Sequence, residues 1–228
     1  MVEFMVRNAY DTQIEEIEQD VIKMGELCIE SLEKSVQAFL KSDKELAKKI
    51  REGDNVIDLM EMEIEEKCVS IMALQQPVAS DLRRLLTVLK IISKLEKIGD
   101  NASKISKITL RSNTKMNKDS EILNVMVLYL KDMLKDILKA YQEKNEELAR
   151  EVYKRDKKID KLFEELYGEM IRHIIENPSH TSKVTEIIFV GKYLERNGNL
   201  IASIGDRIVY MITGERIKEE EFDYKHFE

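Results

Sequence analysis

The sequence predicts an all-α protein built from two pseudo-repeated antiparallel three-helix bundles, with six helices in total. The 228 residues include only 8 Gly and 2 Pro, too few for the many turns of an all-β or doubly wound α/β fold. Ala, Leu, Ile, Glu, Lys and Met dominate the composition, and these residues favour helices. The two halves of the chain also resemble each other, which indicates a duplicated unit.

Three breaks divide the chain into helical segments. Pro77, Pro178 and the polar stretch 111–119 interrupt long helical patterns, because proline and polar aperiodic segments end helices. The apolar periodicity between the breaks predicts helices over residues 8–40, 43–75, 79–111, 119–143, 145–176 and 181–214. Residues 42–43 and 80–81 supply serine and aspartate as expected N-caps of the second and third helices.

The repeat sets the expected domain boundaries. Residues 43–54 match 145–156, and residues 94–100 match 193–199, at offsets of 102 and 99 residues. Short loops within each copy force neighbouring helices to run antiparallel. The expected units are 1–114 and 115–216, each a three-helix repeat, followed by a charged tail at 217–228.

Charge and hydropathy exclude several classes of protein. The chain has 44 acidic and 37 basic residues, a net charge of -7 and a pI near 5.3, which disfavours a nucleic-acid partner. It has neither an apolar run long enough to span a bilayer nor a secretory signal, so we expect a cytoplasmic protein. Cys28 and Cys68 lie in helical patterns and are expected to be reduced core residues.

The third helix carries carboxylates in line with its apolar stripe. The stripe runs through Leu85, Leu89 and Ile92 before it reaches Glu96 and Asp100. Eleven residues of helix return to within about 20° of the starting direction. We therefore expect Glu96 and Asp100 on the buried face.

The same arrangement recurs in the neighbouring helices and in the second copy. The positions concerned are Asp54, Asp58, Asp156, Asp160, Glu195 and Asn199. Anions near a helical interior repel one another and are costly to bury, so a cation among them is one interpretation. Oxygen donors suit Mg, Mn, Fe or Ca.

A second interpretation of these acidic positions requires no metal. In it the stripes face outward, and nearby basic side chains neutralise the acids: Lys90, Lys94, Lys97, Arg155 and Lys157.

Gly99 and Gly198 interrupt both stripes at equivalent positions, although glycine destabilises a helix by about 1 kcal/mol relative to alanine. They predict the close approach of another backbone or of a ligand.

No catalytic motif is present in the sequence. It contains no CxxC, HExxH, GxxxxGK[ST], GxGxxG or GxSxG pattern. His173, His180 and His226 are predicted to be isolated surface residues. We therefore expect a protein that is not an enzyme.

Six segments of the sequence form a recognisable pattern: residues 54–58 (DNVID), 65–68 (EEKC), 75–83 (QQPVASDLR), 95–100 (LEKIGD), 193–199 (YLERNGN) and 210–214 (YMITG). Together these segments resemble the PhoU family of phosphate transport regulators. The similarity extends over about residues 8–215. It implies a non-enzymatic cytoplasmic regulator that limits phosphate uptake and the phosphate-starvation response. Implied partners are the ATPase subunit of the phosphate ABC transporter, a sensor histidine kinase in bacteria and a second copy in a homodimer, with membrane contact only through the partners.

The resemblance also implies metal binding through E(D)xxxD motifs, as iron clusters or as other oxygen-ligated divalent ions such as Mg, Mn or Zn. The motifs fall on Asp54, Asp58, Glu96, Asp100, Asp156, Asp160 and Glu195, with Asn199, Glu30, Asp132 and Asp136 as weaker candidates. Metal storage and phosphate or anion sensing are alternative functions, and a plain helical scaffold with salt-bridged acids is a third.

Three departures from the family pattern bear on the site. Asn199 stands where the family has Asp, Asn197 replaces an aliphatic residue and Lys97 replaces Arg. Asparagine offers an oxygen without charge, so we expect a weaker cluster in the second half.

Overall fold

The computed structural model describes the backbone of residues 2–75, 77–112 and 121–218, and the side chains of these residues from Thr12 onward. The helices are α1 (Val2–Lys41), α2 (Lys44–Gln75), α3 (Ala79–Arg111), α4 (Glu121–Glu143), α5 (Glu146–Lys154), α6 (Asp156–Glu176) and α7 (Thr181–Thr213). A single 3₁₀ turn, Pro178–His180, precedes α7. The described residues contain no strand, so the predicted all-α class is confirmed. The predicted 114/115 boundary and the tail beyond Lys218 lie outside the described residues.

Two details of the predicted helices are wrong. The expected helix 145–176 is divided into α5 and α6 at Arg155, whose N–H bonds to the carbonyl of Val152, three residues back, as in a tightened 3₁₀ turn. The third helix begins at Ala79 and its N-cap is Val78, which makes no side-chain capping bond. Residues 80–81 therefore already lie inside the helix. The helix begins at residue 79, as the periodicity predicts, and only the expected capping residues are wrong, because the extended Val78 after Pro77 occupies the N-cap position.

The junction between the first two helices of each unit is duplicated in fine detail. Asp43 and Asn145, 102 residues apart, each accept a side-chain hydrogen bond from the backbone N–H three residues on, at 2.9 and 3.0 Å. The preceding residues, Ser42 and Lys144, have positive φ values of 54° and 51°. The N–H groups of Asp43 and Asn145 also bond to carbonyls five residues back, which is the Schellman arrangement that ends a helix. The repeat therefore specifies the same turn twice.

The two units share one hydrophobic core. Helices α1, α2 and α3 contact one another, as do α4, the α5–α6 pair and α7. Contacts of α3 with α7 and of α1 with α4 join the units, and one contiguous cluster of buried side chains runs through all seven helices. Cys28 and Cys68 are free and buried in this core, as predicted, and burial raises the pKa of Cys68 to about 12.

Gly99 and Gly198 lie where another helix packs closely against α3 and α7. A Cβ on Gly99 would lie 2.8 Å from Cδ1 of Ile57, and one on Gly198 would lie 3.1 Å from Cγ2 of Ile159. Another helix does approach closely at these two glycines, but through isoleucine side chains of α2 and α6 and not through the backbone or ligand that was expected. Within the described residues no helix is long and apolar enough to span a membrane.

Candidate functional site

The first acidic cluster lies along the α2–α3 contact and comprises Asp54, Asp58 and Glu61 of α2 with Glu96 and Asp100 of α3. Burial raises the pKa of Asp54, and the carboxylates of Asp58 and Asp100 raise it further against an opposing hydrogen bond from Ser103. Burial also raises the pKa of Glu96, with added repulsion from Glu61, Asp100 and Asp58. These carboxylates are thus close enough across two helices to disfavour one another's ionised forms.

The expected burial of Glu96 and Asp100 is not observed. Leu85 is fully buried, whereas Glu96 and Asp100 are half-buried and Asp58 is exposed. The drift of about 20° over eleven residues carries the stripe towards the edge of the α2–α3 contact. Carboxylate oxygens at that edge remain exposed to water. Lys104 pairs with Asp100 at 2.7 Å, and Lys97 lowers the pKa of Glu96. The salt-bridge interpretation therefore accounts for part of the charge in this cluster.

The second acidic cluster lies along the α6–α7 contact and comprises Asp156, Asp160 and Glu164 of α6 with Glu195 and Asn199 of α7. Burial raises the pKa of Asp160, and the carboxylates of Asp156, Glu195 and Glu164 raise it further. Burial also raises the pKa of Asp156, against hydrogen bonding and the charge of Lys157. The repeat has therefore placed equivalent acids in equivalent surroundings.

Asn199 changes the chemistry of the second cluster. Its Nδ2 donates to Oε1 of Glu195 at 3.0 Å, whereas the equivalent pair in the first cluster, Glu96 and Asp100, is mutually repulsive. Lys192 forms an ion pair of 2.7 Å with the other oxygen of Glu195, whose side chain is 13% exposed. One negative charge is missing from this cluster and another is paired, so its demand for a cation is smaller.

Three of the four weaker candidates, Glu30, Asp132 and Asp136, do not join either cluster. Glu30 pairs with Lys34 on its own helix, Asp136 pairs with Arg155 at 2.5 Å, and Asp132 is exposed. None of the three contributes to the raised pKa values of the cluster carboxylates. Arg155, suggested as a counter-ion for the acidic stripes, also binds Glu151.

Two members of the clusters were missed from the sequence. Glu61 lies three residues after Asp58, and Glu164 lies four residues after Asp160. Each therefore shares a helix face with the acids already identified, and that spacing could have found them.

Among the residues that the structure describes, no three His, Cys, Asp or Glu side chains already surround a common point suited to an ion. Binding of a metal ion at either cluster would require side-chain rotation, which half-buried and exposed carboxylates permit.

Comparison with known proteins identifies the family. The model of the PhoU domain matches the chain twice, over residues 21–109 and 123–208, once within each three-helix unit. The chain belongs to the PhoU family. A phosphate-specific transport system accessory protein PhoU homologue from Clostridium acetobutylicum is 36% identical over 216 residues, which cover 93% of this chain and 98% of the relative. An Aquifex aeolicus homologue of the same description is 31% identical over 93% of this chain and 97% of its own length.

Solved structures of the family share the fold. The crystal structure of PhoU from Pseudomonas aeruginosa superposes with a TM-score of 0.86 at 29% identity, covering 90% of this chain and all of that one. The phosphate transport system regulatory protein PhoU from Streptococcus pneumoniae gives a TM-score of 0.85 at 29% identity over 92% of this chain and all of that one. The two pseudo-repeated three-helix units are therefore the fold of the family.

Proposed function

We propose that this chain is a non-enzymatic accessory protein of the phosphate-specific transport system, a negative regulator of phosphate uptake and of phosphate-starvation signalling in the cytoplasm. One observation carries the proposal: both units match the family, and relatives described as phosphate-specific transport accessory proteins align over 93% of the chain. No catalytic residue motif competes with this assignment.

The partners that we propose are the ATPase subunit of the phosphate ABC transporter and a sensor histidine kinase. The protein would act as a homodimer and reach the membrane only through these partners. Exposed apolar side chains support protein contacts, because isolated monomers seldom group them. On α2, Val56, Leu59 and Met62 follow one another at spacings of three residues and are 50%, 57% and 64% exposed.

Complementation tests the regulatory role. The chain is expressed in a bacterium that lacks its own family member, and phosphate uptake and starvation-gene output are measured with phosphate in excess. We expect both to fall to the levels of the parent strain, and the ATPase subunit to co-purify with the protein. If the chain is expressed and folded but uptake and output stay high, the proposal is refuted. Light scattering on the purified protein tests the homodimer.

A metal-dependent role is a second candidate, supported by the repulsion among carboxylates across α2 and α3. Asp54, Asp58, Glu96 and Asp100 would hold an ion in the first cluster, and Asp156, Asp160 and Glu195, with Asn199, would hold one in the second. An iron cluster or Mg, Mn or Zn would supply counter-charge, and open coordination positions would serve metal storage or sensing of phosphate or another anion.

Elemental analysis of protein purified without chelators tests the metal hypothesis. The test variant is Glu96→Gln with Asp100→Asn, and its charge-matched control is Glu143→Gln with Glu147→Gln, at two exposed positions. We expect metal content to fall in the first variant and to stay constant in the control. Equal metal content in the wild type and both variants would remove the first cluster as a site.

A further inference from the structure

Two histidines that the sequence suggests are isolated meet at the turn between α6 and α7. Nε2 of His173 lies 3.1 Å from Nδ1 of His180. The ring planes are inclined by only 18° and the ring centroids are 5.3 Å apart. The two rings therefore face each other edge to edge, and the facing nitrogens share one N–H proton between a donor and an acceptor.

The backbone of the turn fixes the separation of the two rings. The N–H of Asn177 donates to the carbonyl of His173, and the N–H of His180 donates to the carbonyl of Asn177, both at 2.9 Å. Oγ1 of Thr181 donates to the carbonyl of Pro178 at 2.6 Å. Proline also restricts the φ angle at the start of the 3₁₀ turn. The turn thus holds the two rings near each other before any ligand binds. Less conformational entropy of the side chains is therefore lost on binding.

We propose that His173 and His180 form a binding site for a divalent transition-metal ion of the zinc class, which replaces the shared proton. Zn–N bonds are about 2.0–2.1 Å long, so two nitrogens on one tetrahedral ion lie about 3.3–3.4 Å apart. The observed 3.1 Å differs from this by a few tenths of an ångström. A modest rotation of each ring turns both lone pairs onto a common ion.

The proton balance of this step is simple. In the neutral pair, the donor ring carries its only N–H on the shared nitrogen, and each ring has one further nitrogen facing away. On metal binding that proton leaves the shared nitrogen and solvent returns one to the outer nitrogen of the same ring. Both imidazoles then ligate in their neutral form, and no net proton is released.

The surroundings of the pair are compatible with a cation. Glu169 and Glu176 lie four residues before and three residues after His173 and share its face of α6. Both are exposed, so their carboxylates can approach an ion together with water. The basic residues nearest in sequence are Arg172 and Lys183. Nitrogen ligands distinguish this site from the two acidic clusters, because imidazole suits zinc, copper and nickel, whereas carboxylates suit harder ions.

Zinc titration of the full-length, metal-stripped chain tests the proposal by calorimetry. The test variants are His173→Gln and His180→Gln, which preserve polarity at solvent-accessible positions. The controls are His226→Gln, at the remaining histidine, and Glu96→Gln with Asp100→Asn, which removes acids of the first cluster. Circular dichroism verifies that each variant is folded.

We expect one zinc equivalent, separate from any zinc held by the acidic clusters, whose affinity falls at least tenfold in each of the two test variants and is unchanged in both controls. The ring resonances of His173 and His180, and not that of His226, should shift on zinc addition in NMR spectra. Binding that is indifferent to both test substitutions, or that disappears only with the acidic variant, would reduce the pair to a structural hydrogen bond. This outcome is independent of phosphate regulation, which complementation measures separately.

Discussion

Asn101 of α3 donates a side-chain hydrogen bond of 2.7 Å to Asn197 of α7, and this bond joins the two three-helix units inside the core. The residues are 6% and 0% exposed. Nδ2 of Asn197 has no partner among the described residues. The asparagine that departs from the aliphatic residue expected at position 197 is therefore explained by its amide partner across the unit interface.

Removal of one member of this pair should destabilise the protein. Asn101→Ala and Asn197→Ala each leave a buried amide without its partner, and we expect each to lower the free energy of unfolding by about 1–3 kcal/mol. The double variant should cost less than the sum of the two, because neither unpaired amide remains. Urea unfolding of all four proteins measures the coupling. Additive effects, within about 0.3–0.5 kcal/mol, would show that the bond contributes no pairwise stability.

Close packing of α5 against α7 predicts a strong effect at Gly205. A Cβ there would lie 2.8 Å from the backbone carbonyl oxygen of Ala149, which cannot rotate away as a side chain can. Gly205→Ala should therefore lower the free energy of unfolding by about 1–3 kcal/mol. Gly168→Ala is the matched control, because nothing lies within 4 Å of its Cβ position, and it should stabilise its helix by up to about 1 kcal/mol. Thermal unfolding that ranks the two variants in the opposite order would contradict this packing.

The first acidic cluster should make stability depend on pH in the metal-free protein. The pKa values of Asp54 and Glu96 are raised in the folded state. Their carboxyl groups therefore bind protons more tightly in the folded protein than in the unfolded chain. The associated stabilisation is fully present below the ordinary carboxyl range and is lost as pH rises through the raised values. Asp54→Asn should increase stability near pH 7 relative to the wild type, with the advantage shrinking towards acidic pH.

Denaturant unfolding between pH 4 and pH 7, with chelator present, measures this difference. The exposed Glu147→Gln provides the control for removing one negative charge from the surface. A difference between Asp54→Asn and the wild type that stays constant across this range would rule out titration of Asp54 as its cause.

Removal of metal should destabilise the protein at neutral pH, in contrast to the stabilising Asp54→Asn substitution. If ions occupy the acidic clusters as proposed, chelation withdraws their counter-charge and destabilises the folded state. An ion present at a hundred times its dissociation constant stabilises a protein by about 2.7 kcal/mol, and each kcal/mol shifts the melting temperature of a chain of this size by about 2–4 °C. Thermal unfolding with and without chelator measures the shift. The same midpoint in both samples would show that neither cluster holds a stabilising ion.

The sequence alone determined the helical class, the breaks at Pro77 and Pro178 and the duplication, but not the division of α5 from α6 at Arg155. These features depend on local chemistry: helix propensity, the apolar period, proline, and a capping residue after each first helix. Asp43 and Asn145 illustrate this, because the same short segment makes the same turn twice. The motif spacing also located most members of the two acidic clusters.

Only the tertiary structure decided how these helices meet. It placed Glu96 and Asp100 at a half-exposed edge, brought Glu61 and Glu164 into the clusters, and paired Asn101 with Asn197 and His173 with His180. Such contacts depend on the rotation and register of each helix within a shared core, and a change of one residue position turns a side chain by about 100°. The periodicity of one helix fixes which of its residues share a face, but the packing of all seven fixes what that face touches.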